Sequence, residues 1–254
     1  MILETLERVL SSNGLITAFL FVGALVWVSY LISGKLTGGR VHGSAIAIGL
    51  GLVLAWWGGQ ATGGSRGLSD IPLFAGVGVM GGAMFRDFAI VATAFGADVR
   101  ALQGAGAVGA LSIVIGVLLS FVIGAVVAAS FGYTDPIAVT TIGAGAATYI
   151  VGPVTGTALG ASSEIIALSV AAGLTKSVLV MIGTPFVASR IGLNNPHSAL
   201  IYGGLMGTTS GVAGGLAATD PKLVPYGAMT ATFYTGAGCL LAPSILYIVV
   251  DMLV

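Results

Sequence analysis

The chain is assembled from long runs of residues that carry no charge. Gly14 to Ile32 is one such run, Ala105 to Thr134 another, and Ile137 to Ser163 a third. Stretches of this kind cannot face water, and a helix needs about 20 mostly apolar residues to cross the hydrocarbon of a bilayer. Charged residues make up only 7% of the chain, against about 25% in a soluble domain. Mean hydropathy is +1.06. The 254 residues therefore describe an integral membrane protein with room for roughly seven to nine crossings. Lys plus Arg and Asp plus Glu both number 9, which excludes a basic nucleic-acid surface. The alternating segments of a membrane barrel are absent. The 41 glycines suit a tight helical bundle with interrupted helices, because small residues let backbones approach closely in lipid.

Three regions follow from the pattern. Residues 1–13 read as an amphipathic interfacial helix that stays on the protein, since a basic start and a cleavage site are missing. Residues 14–131 hold about four spans: Gly14–Ile32, Ser44–Trp57, Ile71–Val91 and Ala105–Phe131. Residues 132–254 hold two Gly-, Thr- and Ser-rich breaks, at 148–164 and 207–220. Short helices lead into the breaks, Ile137–Ile150 and Ser198–Met206, and long ones follow, Ile165–Ala188 and Pro225–Val250. Lys35, Arg40, Arg86 and Arg100 against Arg8 and Arg66 place the N-terminus outside by the positive-inside rule. Ala158–Ser162 and Gly215–Thr219 match weakly. Each is followed by an acid and then a long helix containing a proline, as in transporters built from repeats. The expected fold is an all-α polytopic bundle with two broken or re-entrant helices in its second half.

Irregular backbone is tolerated at membrane depth only where it is buried or lines a cavity. At such a break, helix N-termini present N–H groups and a positive dipole end, which suit an anion. Thr148, Thr155, Thr157, Ser162 and Ser163 add hydroxyls at the first break, and Thr208, Thr209 and Ser210 at the second. Together they suit a small carboxylate. Taken singly, each hydroxyl is better explained by satisfying helix backbone and helping packing; the two clusters jointly point to function. Lys176 lies mid-way along an apolar helix, where a cation is costly and marks a functional site; snorkelling to an interface is the competing explanation. Glu164 and Asp220 follow the two breaks and are candidate Na+ ligands, with helix capping as the alternative. No Walker-type loop is present. Two histidines and Cys239 are too few for a metal cluster. No enzyme and no cofactor is expected.

Several segments carry a family resemblance. Leu3-Glu4-Thr5-Leu6-Glu7 with Asn13-Gly14-Leu15, Trp27-Val28-Ser29-Tyr30-Leu31, the run Gly39 to Ala47, and the region Gly143 to Glu164 resemble MadM, the larger subunit of the bacterial two-component malonate transporter. The resemblance spans essentially the whole chain. It implies malonate uptake coupled to Na+ in the bacterial cytoplasmic membrane, with a separately encoded small membrane partner, MadL, and a homo-oligomer of that complex as a further expectation. It supplies no residue-level motif. Gly152-Pro153-Val154, Arg190 to Pro196, Gly207 to Ser210 and Ala242-Pro243 are also similar to the LrgB family, which works with a small membrane partner and is linked to pore-like roles. The expected function is therefore Na+-coupled uptake of a small dicarboxylate, with a channel or holin-associated pore component as the alternative. A scaffold subunit whose partner holds the substrate is a third possibility.

Overall fold

The computed structural model describes residues 2–39, 41–64, 66–80 and 99–254. Among them every regular element is helical. Five segments are long and apolar enough to cross a membrane. Arg40, Gly81-Gly82, Arg86, Asp87 and Asp98 lie outside the described residues. The chain divides into two compact units, residues 1–92 and 93–254.

In the first unit, α1 (Ile2–Ser12) leads into α2 (Gly14–Leu36), and α3 (Gly43–Thr62) follows. Both longer helices outrun their sequence-based ends. The Gly58–Thr62 segment, expected as loop, completes α3, which ends on Gly63 at φ +65°. Two 3-10 turns, Gly67–Asp70 and Pro72–Phe74, then lead to α4 (Ala75–Val79). Packing rests on glycine. A Cβ on Gly76 would lie 2.0 Å from the Gly14 carbonyl oxygen. Asp70 closes its own loop, accepting from the Arg66 backbone N–H at 2.7 Å and pairing with the Arg66 side chain at 3.1 Å.

The second unit begins with α5 (Val99–Ser130), bent at Gly106, whose φ of +65° only glycine adopts readily. Then come α6 (Pro136–Ala147), α7 (Val151–Leu159), α8 (Ser163–Val187), α9 (Pro196–Met206), α10 (Thr209–Ala217) and α11 (Val224–Leu241). A π-turn at Ala242–Leu246 joins α11 to α12 (Tyr247–Leu253). Two starts are encoded alike. Asp135 and Asn195 cap α6 and α9 by accepting from the N–H groups of Ala138 and Ser198, and each precedes a proline at the first helical position.

Each break opens at the tip of a re-entrant hairpin and runs on through a returning helix, α7 or α10. Gly145 on α6 and Gly152 on α7 both abut Ser169 of α8, while Tyr149 between them abuts Gly173. The chain therefore climbs one turn of α8 and comes back. The second hairpin repeats this on α11. Gly227 meets Ala199 of α9 and both Val212 and Leu216 of α10, while Gly207 at the tip meets Tyr234. Moreover α10 runs with α8, since Gly211, Gly214 and Gly215 meet Ser177, Met181 and Thr184 in turn, whereas α7 runs against it. The hairpins therefore point in opposite directions, and the repeat is inverted. At 12 and 9 residues, α6 and α7 are too short to cross.

Glycine makes this possible. A Cβ on Gly145 would lie 2.2 Å from the Ser169 carbonyl oxygen, and one on Gly173 2.2 Å from the Tyr149 nitrogen. Such contact is the means of close packing where lipid supplies little hydrophobic drive between helices.

Candidate functional site

Both tips reach the middle of α8, where consecutive residues serve them. Lys176 faces the first tip. Its ammonium donates to the Ala147 carbonyl at 2.8 Å, to Ser120 Oγ on α5 at 2.8 Å and to Tyr234 Oη on α11 at 3.2 Å. Tyr234 Oη in turn donates to the Gly116 carbonyl at 3.1 Å. All three of the lysine's partners are neutral. Ser177 faces the second tip and hydrogen-bonds Thr208. Tyr234 joins the halves: it touches Lys176 through its hydroxyl and lies so close to Gly207 that a Cβ there would be 2.3 Å from its ring.

The tips differ in how they treat the helix that leaves them. The corresponding threonines, Thr148 and Thr208, are both buried. At the first tip Thr148 Oγ1 accepts from the backbone N–H groups of Ile150 and Val151, at 3.0 and 3.5 Å, so the N–H groups leading into α7 are met. At the second tip the Thr208 hydroxyl is taken up by Ser177, and no side chain caps α10. The first N–H groups of a helix have no partner within it, and here they are joined by the Thr209 and Ser210 hydroxyls, whose oxygens are buried without a hydrogen-bond partner. An unmet buried hydroxyl costs about 1–3 kcal/mol. The uncapped second tip, beside a lysine whose partners among the described residues are neutral, has the chemistry that suits an anion.

The other residues expected at the site fall elsewhere. Thr155 is fully buried with no partner. Thr157 is exposed on the outer part of α7. Ser162 caps α8, accepting from the Ile165 N–H at 3.4 Å, and Ser163 and Glu164 are exposed in the opening of that helix. All three lie beyond the far end of α7 from its tip, about 13 Å along the helix. Asp220 stands beyond the far end of α10 and accepts from the Lys222 N–H at 3.0 Å. Among the described residues no group of three His, Cys, Asp or Glu side chains gathers to hold a metal.

The family model for the malonate/sodium symporter MadM subunit matches residues 6–254. The chain belongs to the MadM family. As a MadM member it is a multi-pass membrane protein of a symporter class whose solutes are malonate and sodium, a transporter family rather than an enzyme family. No curated protein and no solved structure matches the chain.

Sequence reasoning passed over Ser120, Tyr234, Ser177, Thr140 and Thr141. Ser120 and Tyr234 sit alone in apolar helices, where spacing carries no signal. The adjacent Thr140-Thr141, mid-way in a short apolar helix, was a visible anomaly.

Proposed function

We propose that this chain is the malonate-binding, Na+-coupled subunit of a bacterial symporter and works in the cytoplasmic membrane with a small MadL-like partner. One observation carries the reading: the second tip leaves a helix start uncapped and two buried hydroxyls unpaired, one residue along α8 from the part-buried Lys176. One carboxylate of malonate would accept from the α10 N–H groups and from Thr209 and Ser210. The other would lie toward Lys176. Malonate carries close to two negative charges at neutral pH, and Lys176 supplies one positive charge, so a coupling cation completes the balance.

Alternating access would then be carried by the hairpins. Lys176 holds the first tip through Ala147 and the α11 helix through Tyr234. A carboxylate competes with both neutral acceptors, because it meets the ammonium with a full opposite charge where a carbonyl and a phenol offer only dipoles. Binding therefore loosens the first hairpin while filling the second. Counterflow of labelled malonate in proteoliposomes, with Na+ or choline as the cation, tests this. Saturable, Na+-stimulated counterflow is expected. Sustained unitary currents without saturation would overturn the reading in favour of a pore.

A further inference from the structure

Three more hydroxyls are buried without partners, away from either tip. They are Thr140 and Thr141 on α6 and Thr155 on α7, all fully buried. Threonines within helices usually donate to a carbonyl one turn back. Thr184, Thr232 and Thr235 do so here, to Val180, Ala228 and Ala231. Thr140, Thr141 and Thr155 do not, so their oxygens stay unpaired in an interior without bulk water, an unfavourable state unless something else binds them.

The three lie in one layer of the first hairpin. The Thr141 methyl would be 2.8 Å from a Cβ on Gly156, the neighbour of Thr155. Thr155 in turn is one helical turn beyond Val151, whose side chain packs on Gly238 of α11. Because α7 and α11 run in the same direction, Thr155 is level with the start of the π-turn at Ala242–Leu246. Pro243 in that turn has no N–H, so the Cys239 carbonyl one turn earlier loses its helical donor. Turns of this type recur at functional sites. By helix register, three unpaired hydroxyls and the carbonyl that Pro243 leaves without its i+4 donor thus lie at about one level of the hairpin. All are hard and neutral, the oxygen chemistry that suits an alkali or other hard cation, and released carbonyls of this kind coordinate Na+ in transporters with discontinuous helices.

We propose that Thr140, Thr141 and Thr155, with the Cys239 carbonyl, form the Na+ site of this symporter. The proposal rests on the Na+-coupled reading above and locates its cation. Neutral ligands leave the ion its full charge. It sits about 6 Å further along α7 from Val151, in the same hairpin whose Ala147 carbonyl Lys176 holds, and its charge balances the second carboxylate within the loaded protein. Malonate, Lys176 and one Na+ then sum to zero, which lets the loaded site pass through the membrane interior. Glu164 and Asp220 are not needed as ligands.

The test measures the half-saturating Na+ concentration for malonate uptake by the full symporter in proteoliposomes. Thr140→Val, Thr141→Val and Thr155→Val remove an oxygen and keep the shape; Thr140→Ser, Thr141→Ser and Thr155→Ser keep the oxygen. Each valine variant should raise the half-saturating Na+ at least tenfold, and each serine variant should stay within threefold of the parent. Thr175→Val, an exposed threonine bonded to Ala171, is the control. The melting temperature of the purified chain in NaCl against choline chloride, without malonate, is a second readout independent of transport. The Na+-induced rise should vanish in the valine variants. Unchanged Na+ half-saturation in all three, or a persisting thermal shift, would overturn the site and mean that the hydroxyls hold only water. A parent symporter with no Na+ dependence would instead overturn the coupling reading itself.

Discussion

At the residue scale the decisive group is Lys176. Its three partners among the described residues are a serine hydroxyl, a phenol and a carbonyl, and none of the three neutralises it. Hydrogen bonds to charged groups contribute about 1.5–3 kcal/mol. Lys176→Met should therefore weaken malonate binding by about tenfold to a hundredfold, read by calorimetry on the solubilised complex. Unchanged affinity would remove Lys176 from the site. His42 offers a pH-dependent feature in the first unit, outside the spans. Its Nδ1 accepts from the Ser44 N–H at 3.4 Å to cap α3, and its Nε2 meets Tyr30 Oη at 3.4 Å. Partial burial holds its pKa below the ordinary 6.5. The unfolded chain thus takes up a proton more readily than the folded one, and stability falls as pH drops below about 6.5. The cap is lost when Nδ1 protonates. A melting curve between pH 7.5 and 5 should show this decline, and His42→Asn, which keeps a capping acceptor, should flatten it. An identical decline in that variant would rule His42 out as the cause.

At the element scale the hairpins depend on what their tips can hold. Gly207 has φ +71° and lies against the Tyr234 ring. Gly207→Ala adds a Cβ where both the backbone conformation and the ring forbid it, a strain of about 1–3 kcal/mol. The expected result is a lower melting temperature together with weaker malonate binding, because Tyr234 moves and takes its contact with Lys176 with it. A fall in stability with intact affinity would show that the second tip does not meet the substrate. The elements also show how far sequence reading reaches. Helix starts at Asp135-Pro136 and Asn195-Pro196 were legible because capping is local. That Thr148 meets the N–H groups of its own tip while Thr208 bonds Ser177 was not, because the two tips read alike until α8 is placed beside them.

At the scale of the molecule, the second unit places its hairpins head to head with opposite entry points. The ends of the first, near Asp135 and Gly160, belong to one side of the membrane, and those of the second, near Asn195 and Ala218, to the other. In a Cys239→Ser background the chain has no cysteine. Ser162→Cys and Lys222→Cys should then react with an impermeant maleimide from opposite sides of oriented vesicles. Labelling from one side would contradict the inverted arrangement. The sequence by itself determined that the chain belongs in a bilayer, that it is helical, and that two Gly- and hydroxyl-rich segments interrupt its second half. Those properties follow from hydropathy and from the cost of unpaired backbone in hydrocarbon, which act residue by residue. Only the tertiary structure decided that the breaks turn back rather than continue. It alone brought Lys176 between Ser120, Ala147 and Tyr234, and it alone left Thr209 and Ser210 unpaired while Thr148 was satisfied. Those outcomes depend on which glycines let α5, α8 and α11 approach the tips, and contact between residues far apart in the chain leaves no local pattern to read.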